Sequence, residues 1–330
     1  MATLSTTNPT LADVAKRQDP DGKIDAIVEL LSETNEILDD MTFMEGNLPT
    51  GHRTTIRSGL PSSTWRKLNY GVQPSKSTTV QVTDTAGMLE AYAEVDKALA
   101  DLNGNTSAFR LSEDRAFLES MNQEMANTLF YGDTGTDPEK FMGLAPRFSS
   151  TSAENGDNII SAGGSGSDNT SIWLVVWGGN TCHGIYPKGS MAGLKHQDLG
   201  EVTLEDAANG KYQGYRTHYK WDVGVSLRDW RYVVRIPNID VSNLTKDASG
   251  SSANLVDLMV QAVEKVPNLG LGRAVFYGNR TISSFLRRQI TNTSNVNLSL
   301  DEVAGKRVMS FDGIPFRRND AILNTEAAVS

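Results

Sequence analysis

The stretch LSEDRAFLESMNQEMANTLFYGDTGTDPEKFMGLAPRF, residues 111–148, decides how this chain is read. Ser112 offers an N-cap hydroxyl to an orphan backbone N–H one turn on. Glu113 and Asp114 follow, where negative charge opposes the positive end of a helix. Phe117, Leu118, Met121, Met125, Leu129 and Phe130 recur at spacings of three to five and form one apolar stripe. Gly132, just after Tyr131, suits a C′ position because glycine takes left-handed backbone without a Cβ clash. The spacing predicts a helix over 111–131, roughly 30 Å long. The rest, to Phe148, is turn-rich and carries aromatics. Periodicity alone fits the core helix of any globular domain. No catalytic group accompanies this one, which points to contact between copies of the chain.

Composition narrows the class. The chain has 330 residues, enough for two domains and a substantial core. It carries 31 Lys and Arg against 40 Asp and Glu, for a net charge of −9. A protein that grips nucleic acid along its surface shows a basic excess, and this chain does not. The basic pairs Arg287–Arg288 and Arg317–Arg318 read as a solvated face or as inter-subunit ion pairs. No apolar run reaches 18 residues, so no transmembrane helix is expected. The N-terminal stretch lacks an apolar signal-peptide core, so a cytosolic origin is the expectation. One cysteine, Cys182, excludes an intramolecular disulfide framework and a multi-cysteine zinc site. Cys182 and His183 are neighbours on a predicted strand and point to opposite faces, so a buried structural thiol is expected, not a nucleophile.

Residues 1–23 read as an extended arm with one short helix at Leu11–Arg17 and a turn at Asp19–Gly22. That turn lacks the downstream glutamate of a calcium loop. Ile24, Ile27, Leu30, Leu31, Leu38, Met41 and Met44 predict a second amphipathic helix over 24–44. Its Glu29, Glu33, Glu36, Asp39 and Asp40 read as a solvated acidic face. Residues 46–95 are rich in Thr, Ser, Gly and Pro. Arg53–Arg57, Ser63–Leu68 and Thr78–Thr83 read as strands of a long hairpin. Its few large apolar groups cannot form a core, and a projecting hairpin with open edges is hazardous unless another chain covers it. Ser171–Asn180 reads as a buried strand ending in a Gly-Gly turn. Tyr215–Ile239 carries two β-rich runs around Leu227–Trp230. Asn254–Val266 and Arg280–Ile290 read as helices, Arg273–Tyr277 as a strand, and Arg307–Ile322 as two strands around Asp312–Gly313. The glycine-rich Ala162–Ser171 lacks the ending of a phosphate loop. Gly270–Arg273 lacks the third glycine of a dinucleotide fingerprint. His52, His183, His196 and His218 show no ligand-like spacing. No catalytic residue, cofactor or metal site is expected.

This α+β order of arm, hairpin, long helix and compact C-terminal part resembles the major capsid proteins of tailed bacteriophages, with the Hong Kong 97-type fold. The segments Asn47–Pro61, Leu111–Glu124, Leu129–Phe148, Trp173–Ser190 and Leu227–Asp240 are similar to those of short-tailed Bordetella and epsilon-type phage capsid proteins. The resemblance covers nearly the whole chain, and its specificity lies in the number and order of the segments. It implies an N-arm over 1–45, an E-loop over 46–95, a peripheral domain over 96–245 with the 111–131 helix as its spine, and an axial domain over 246–330.

The function implied is self-assembly, as hexamers and pentamers, into an icosahedral shell around the double-stranded DNA of a phage. The chain is then a virion capsid protein, assembled in the bacterial host cytoplasm, with a portal and a decoration protein as further partners and no membrane. Arg53, Arg57, Trp65, Arg66 and Tyr70 are the expected inter-subunit contacts, since aromatic and Arg anchors are enriched at interfaces. Some members of the family cross-link Lys to Asn between subunits. Lys67 and Lys76 qualify by position only, and no cross-link is expected. Three alternatives stand beside this reading: an encapsulin-type compartment of the same fold that holds cargo enzyme, a soluble enzyme of unknown class, and a decoration or tail protein, which would usually be smaller or β-only.

Overall fold

The computed structural model describes residues 8–16, 32–206, 208–247, 250, 252–292, 298–303 and 306–330. In chain order the elements are α1 (Leu11–Lys16), α2 (Ile37–Asp40), β1 (Phe43–Glu45), β2 (Gly51–Gly59), β3 (Thr78–Asp96), α3 (Lys97–Ala100), α4 (Thr106–Tyr131) and α5 (Leu144–Arg147). Then come β4 (Asn169–Trp177), β5 (Cys182–Tyr186), β6 (Lys195–Glu205), β7 (Lys211–Leu227), β8 (Val233–Asp240), α6 (Leu255–Lys265), β9 (Arg273–Gly278) and α7 (Arg280–Asn292). The chain closes with β10 (Leu298–Val303), β11 (Lys306–Phe311) and β12 (Ile314–Arg318).

The strands join in one mixed sheet of order β10-β11-β12-β9-β4-β5-β7-β3-β2, with β1 on β5, β6 on β7 and β8 on β4. Strand β4 is the hub. Every one of its residues is buried, and side chains alternate between the faces of a strand. Trp173, Val175 and Trp177 pack with Met125, Leu129 and Phe130 of α4 and with Leu144 of α5. Ile172, Leu174 and Val176 pack with Leu255 and Met259 of α6 and with Ile282 and Leu286 of α7. One strand therefore serves two cores, which explains why it is apolar continuously from Ile172 to Trp177 instead of alternating.

Helix α4 starts earlier than the sequence suggested. Its N-cap is Asn105, and Ser112 lies inside it. Phe109 accounts for the extra turns: it is buried with Val14, Val95 and Ala100, and this packing holds the helix together ahead of the local capping signal. At 26 residues the helix is about 39 Å long. Gly132 has φ of −55°, so its role is not left-handed backbone. A Cβ there would lie 2.4 Å from the Phe141 carbonyl oxygen and 2.6 Å from that of Thr128. The glycine lets the chain double back over the helix end.

The predicted helix over 24–44 does not extend through its described part. Residues 24–31, and the turn at Asp19–Gly22, lie outside the described residues. From Ile37 the chain makes one helical turn, becomes extended at Met41, and runs Phe43–Glu45 parallel to β5. Its acidic side chains are not simply solvated. Asp40 is buried, 2.6 Å from Arg273 and 3.1 Å from the Tyr277 hydroxyl, while Glu36 takes Arg317 at 2.8 Å. Burial raises the Asp40 pKa, and Arg317 and Arg273 oppose that rise. Arg317 thus pairs within its own chain, and Arg318 does too, with Asp320 at 3.3 Å. Ser63–Leu68 forms no strand; residues 60–77 are irregular.

The helices expected at 11–17, 254–266 and 280–290 and the strands expected at 53–57, 78–83, 171–180, 273–277 and 307–322 have counterparts among the described residues. Asn254 caps α6 by accepting from the Asp257 N–H. Asp312 and Gly313, at φ of 50° and 76°, turn β11 into β12 as the paired left-handed residues of a tight hairpin.

Candidate inter-subunit contact surface

Strand β3 does two jobs in 19 residues. Ala86–Asp96 pairs with β7 inside the sheet, and Thr78–Thr85 pairs with β2 to form the hairpin. The register sets His52 against Asp84 and Ile56 against Val80. A bulge between Arg57 and Gly59 ends the regular pairing. Beyond it, the 60–77 tip has sparse internal support: Tyr70 N–H donates to the Lys67 carbonyl at 3.2 Å, and the Ser75 hydroxyl to the Ser62 carbonyl at 2.8 Å.

All five sequence-predicted contact residues lie on this hairpin. Arg53 and Arg57 stand exposed on β2; Trp65, Arg66 and Tyr70 stand exposed on the tip. Trp65 is 102% accessible, and Leu60, Leu68 and Tyr70 are more than two-thirds exposed beside it. Fixation is slight: Arg53 Nε donates to Thr83 Oγ1 at 3.2 Å, and its backbone N–H to Asn47 Oδ1 at 2.7 Å. Lys67 and Lys76 are exposed on the same tip. An open cleft of about 870 Å³ separates the hairpin from the body, with Ile56, Val80 and Val82 on one wall and Arg228, Trp230 and Glu154 on the other.

The root of the hairpin is held by residues that sequence reasoning did not single out. Asp84 is buried and takes Arg147 at 2.9 Å. The same guanidinium donates to the carbonyls of Met142, Gly143 and Val225. Arg228 Nη2 lies 3.0 Å from His52 Nε2, and the His52 ring meets His183 edge-on at 5.9 Å. Burial, with the charge of Arg228 next, holds the His183 imidazole down at about 4. Burial pushes the Cys182 thiol up to about 12, so it stays protonated at neutral pH, as a structural thiol does. Asp84 and Arg147 are 63 positions apart in sequence and on different elements, which is why no local pattern announced them.

The C-terminal segment is fastened separately. Glu326 is buried, takes Arg235 at 2.8 Å, and accepts from the hydroxyls of Tyr131 and Ser171. This ties the end of α4 and strand β4 to the last residues of the chain.

Comparison with known proteins is consistent across the chain. The family model described as major capsid protein GP7 matches residues 19–330. The solved structure of bacteriophage Epsilon15 is 46% identical over 100% of this chain and 99% of its own, with a TM-score of 0.77. The capsid of bacteriophage JBD30 shares 9% identity over 89% of this chain and 92% of its own, at a TM-score of 0.50, which speaks to the fold alone. The SrpI encapsulin complex of Synechococcus elongatus PCC 7942 shares 10% identity over 70% of this chain and 97% of its own, at a TM-score of 0.43, too low to carry an argument. No curated protein sequence matches.

Proposed function

The chain belongs to the major capsid protein GP7 family, and from that premise we propose that its hairpin is the arm by which one subunit holds the next. The protein forms a phage capsid shell and is a structural protein, not an enzyme. Residues 1–45 act as N-arm, 46–95 as E-loop, 96–245 as peripheral domain with α4 as spine, and 246–330 as axial domain. The subunits gather into hexamers and pentamers in the bacterial host cytoplasm, and heterologous interfaces whose rotations close make an icosahedral shell. That shell holds double-stranded DNA without reading its sequence, and its further partners are a portal and a decoration protein.

One observation carries the contact reading: four large apolar side chains, Leu60, Trp65, Leu68 and Tyr70, stand in solvent on a tip with no core of its own. Exposed apolar clusters of this kind mark interaction sites. Arg53, Arg57, Trp65, Arg66 and Tyr70 are the anchors. Many such contacts, each modest, add up through avidity. The test is a variant in which residues 60–77 are replaced by an Asn-Gly turn between the paired ends of β2 and β3. The subunit should fold with an unchanged unfolding midpoint and fail to form closed particles in electron micrographs. Uniform closed shells from this variant would end the reading. Lys67 and Lys76 form no covalent link, so boiled shells should run as monomer on a denaturing gel.

A further inference from the structure

The charge of this chain is divided in a way its net value hides. From Gly46 to Thr83 there is no Asp or Glu, while Arg53, Arg57, Arg66, Lys67 and Lys76 give the hairpin five positive charges. The remainder therefore holds 26 Lys and Arg against 40 Asp and Glu, a balance of −14. None of the five basic side chains has an ion-pair partner among the described residues. Cations of the body commonly do, such as Arg110 with Asp198 at 2.6 Å and Arg216 with Glu94 at 2.6 Å. The hairpin's charge is thus left uncompensated within its own chain.

An acidic stretch of the chain runs from Leu111 to Glu139. It holds seven Asp and Glu against a single Arg115. Lys140 engages two of these, Glu124 at 3.0 Å and Asp137 at 3.5 Å. Glu119 and Glu139 have no cation partner among the described residues. The first half of α4 also shows solvent two leucines seven residues apart, Leu111 at 54% and Leu118 at 38% exposure. Residues seven apart lie on one side of a helix, two turns from each other. This surface and the hairpin tip have matching chemistry: apolar groups among negative charge on one, apolar groups among positive charge on the other.

Resting on the contact reading above, we infer that the hairpin docks by charge on the surface of a second copy that carries Leu118, Glu119 and Glu139, and that this attraction sets the rate of shell assembly. Paired patches of opposite sign steer encounter and fix register more than they add final affinity. Duplex DNA would satisfy the five positive charges, but its phosphates would leave Leu60, Trp65, Leu68 and Tyr70 uncovered. A protein surface carrying Leu111 and Leu118 covers both.

The test follows assembly of the full-length chain by light scattering at low and at roughly tenfold higher salt, where the screening length falls about threefold. Wild-type assembly should slow by about tenfold or more across that range. A charge-neutral hairpin (Arg53→Gln, Arg57→Gln, Arg66→Gln, Lys67→Gln and Lys76→Gln together) should assemble about tenfold more slowly at low salt and lose most of the salt dependence. A subunit with Glu119→Lys and Glu139→Lys should show the same defect, and Arg66→Glu with Lys67→Glu on the hairpin should recover part of the rate. All five neutralised residues are exposed, so this variant folds and decides the matter even where the helix variants do not. Wild-type rate and salt dependence in the neutral hairpin would overturn the inference. So would loss of duplex-DNA binding by that variant with assembly unchanged, which would assign the charge to DNA. If replacing 60–77 blocks assembly and neutralisation does not, the contact stands and only its electrostatic basis falls.

Discussion

His183 makes the hairpin root sensitive to acid. It is fully buried on β5, with His52 and Arg228 against it and Asp84 and Arg147 nearby. Its pKa is lowered to about 4, first by burial and then by the positive charge of Arg228. In the unfolded chain the same imidazole titrates near 6.5, so between these values the unfolded chain binds a proton that the folded chain refuses. The folded state is thus at full stability above about pH 6.5 and loses it as pH falls toward 4. His52 shifts in the same direction, for the same first reason. At pH 4.5 the His183 share of the loss is about 2 kcal/mol. Denaturant unfolding of the unassembled subunit at pH 7.5 and 4.5 checks this. His183→Phe should lose about 2 kcal/mol less than wild type over that range, and equal losses would show that the pH response comes from other groups.

Helix α4 is two helices in energetic terms. From Met121 onward it is core, with Met125, Leu129 and Phe130 against Trp173 of β4. Before that only Phe109 is fully buried, and Leu111 and Leu118 face solvent. Leu129→Ala, at a site with no exposure, should cost about 2–5 kcal/mol in denaturant unfolding, while Leu118→Ala should stay within about 0.5 kcal/mol. Equal costs would mean that the first half is packed in the free subunit. The apolar stripe was legible from spacing, but spacing does not say which end of a stripe meets the core. The same limit explains the other differences. Strand β4 was legible because two cores make it apolar from Ile172 to Trp177. The start of α4 was misread because burial of Phe109 against Val14 and Val95 outranks the local cap at Ser112. The break after Asp40 was missed because it depends on β5 and on Arg273 and Arg317, more than 200 positions away.

For the whole molecule, the body completes its own core and the hairpin does not. Its tip residues were recognisable in the sequence because aromatic and basic groups sat in a stretch too polar to fold inward. Its root was not, since the Asp84–Arg147 and His52–Arg228 contacts join elements that only the sheet brings together. A root held by these contacts and an uncovered tip form an arm, and on the proposed reading assembly covers that tip. The consequence is a difference in accessibility between free and assembled subunits. Exposed loop tips with few internal bonds are the preferred sites of proteolytic nicking, and Arg66 and Lys67 place trypsin sites beside the fully exposed Trp65. Trypsin should cut the unassembled subunit first within 60–77, leaving fragments separated at Arg66 or Lys67 by mass spectrometry. In closed shells the same cleavage should slow by roughly tenfold or more, since a covered tip is cut only when its contact opens. Equal rates in the two states would mean that the tip stays in solvent after assembly, and the anchoring role would then have to move to the cleft-facing residues Ile56, Val80 and Val82.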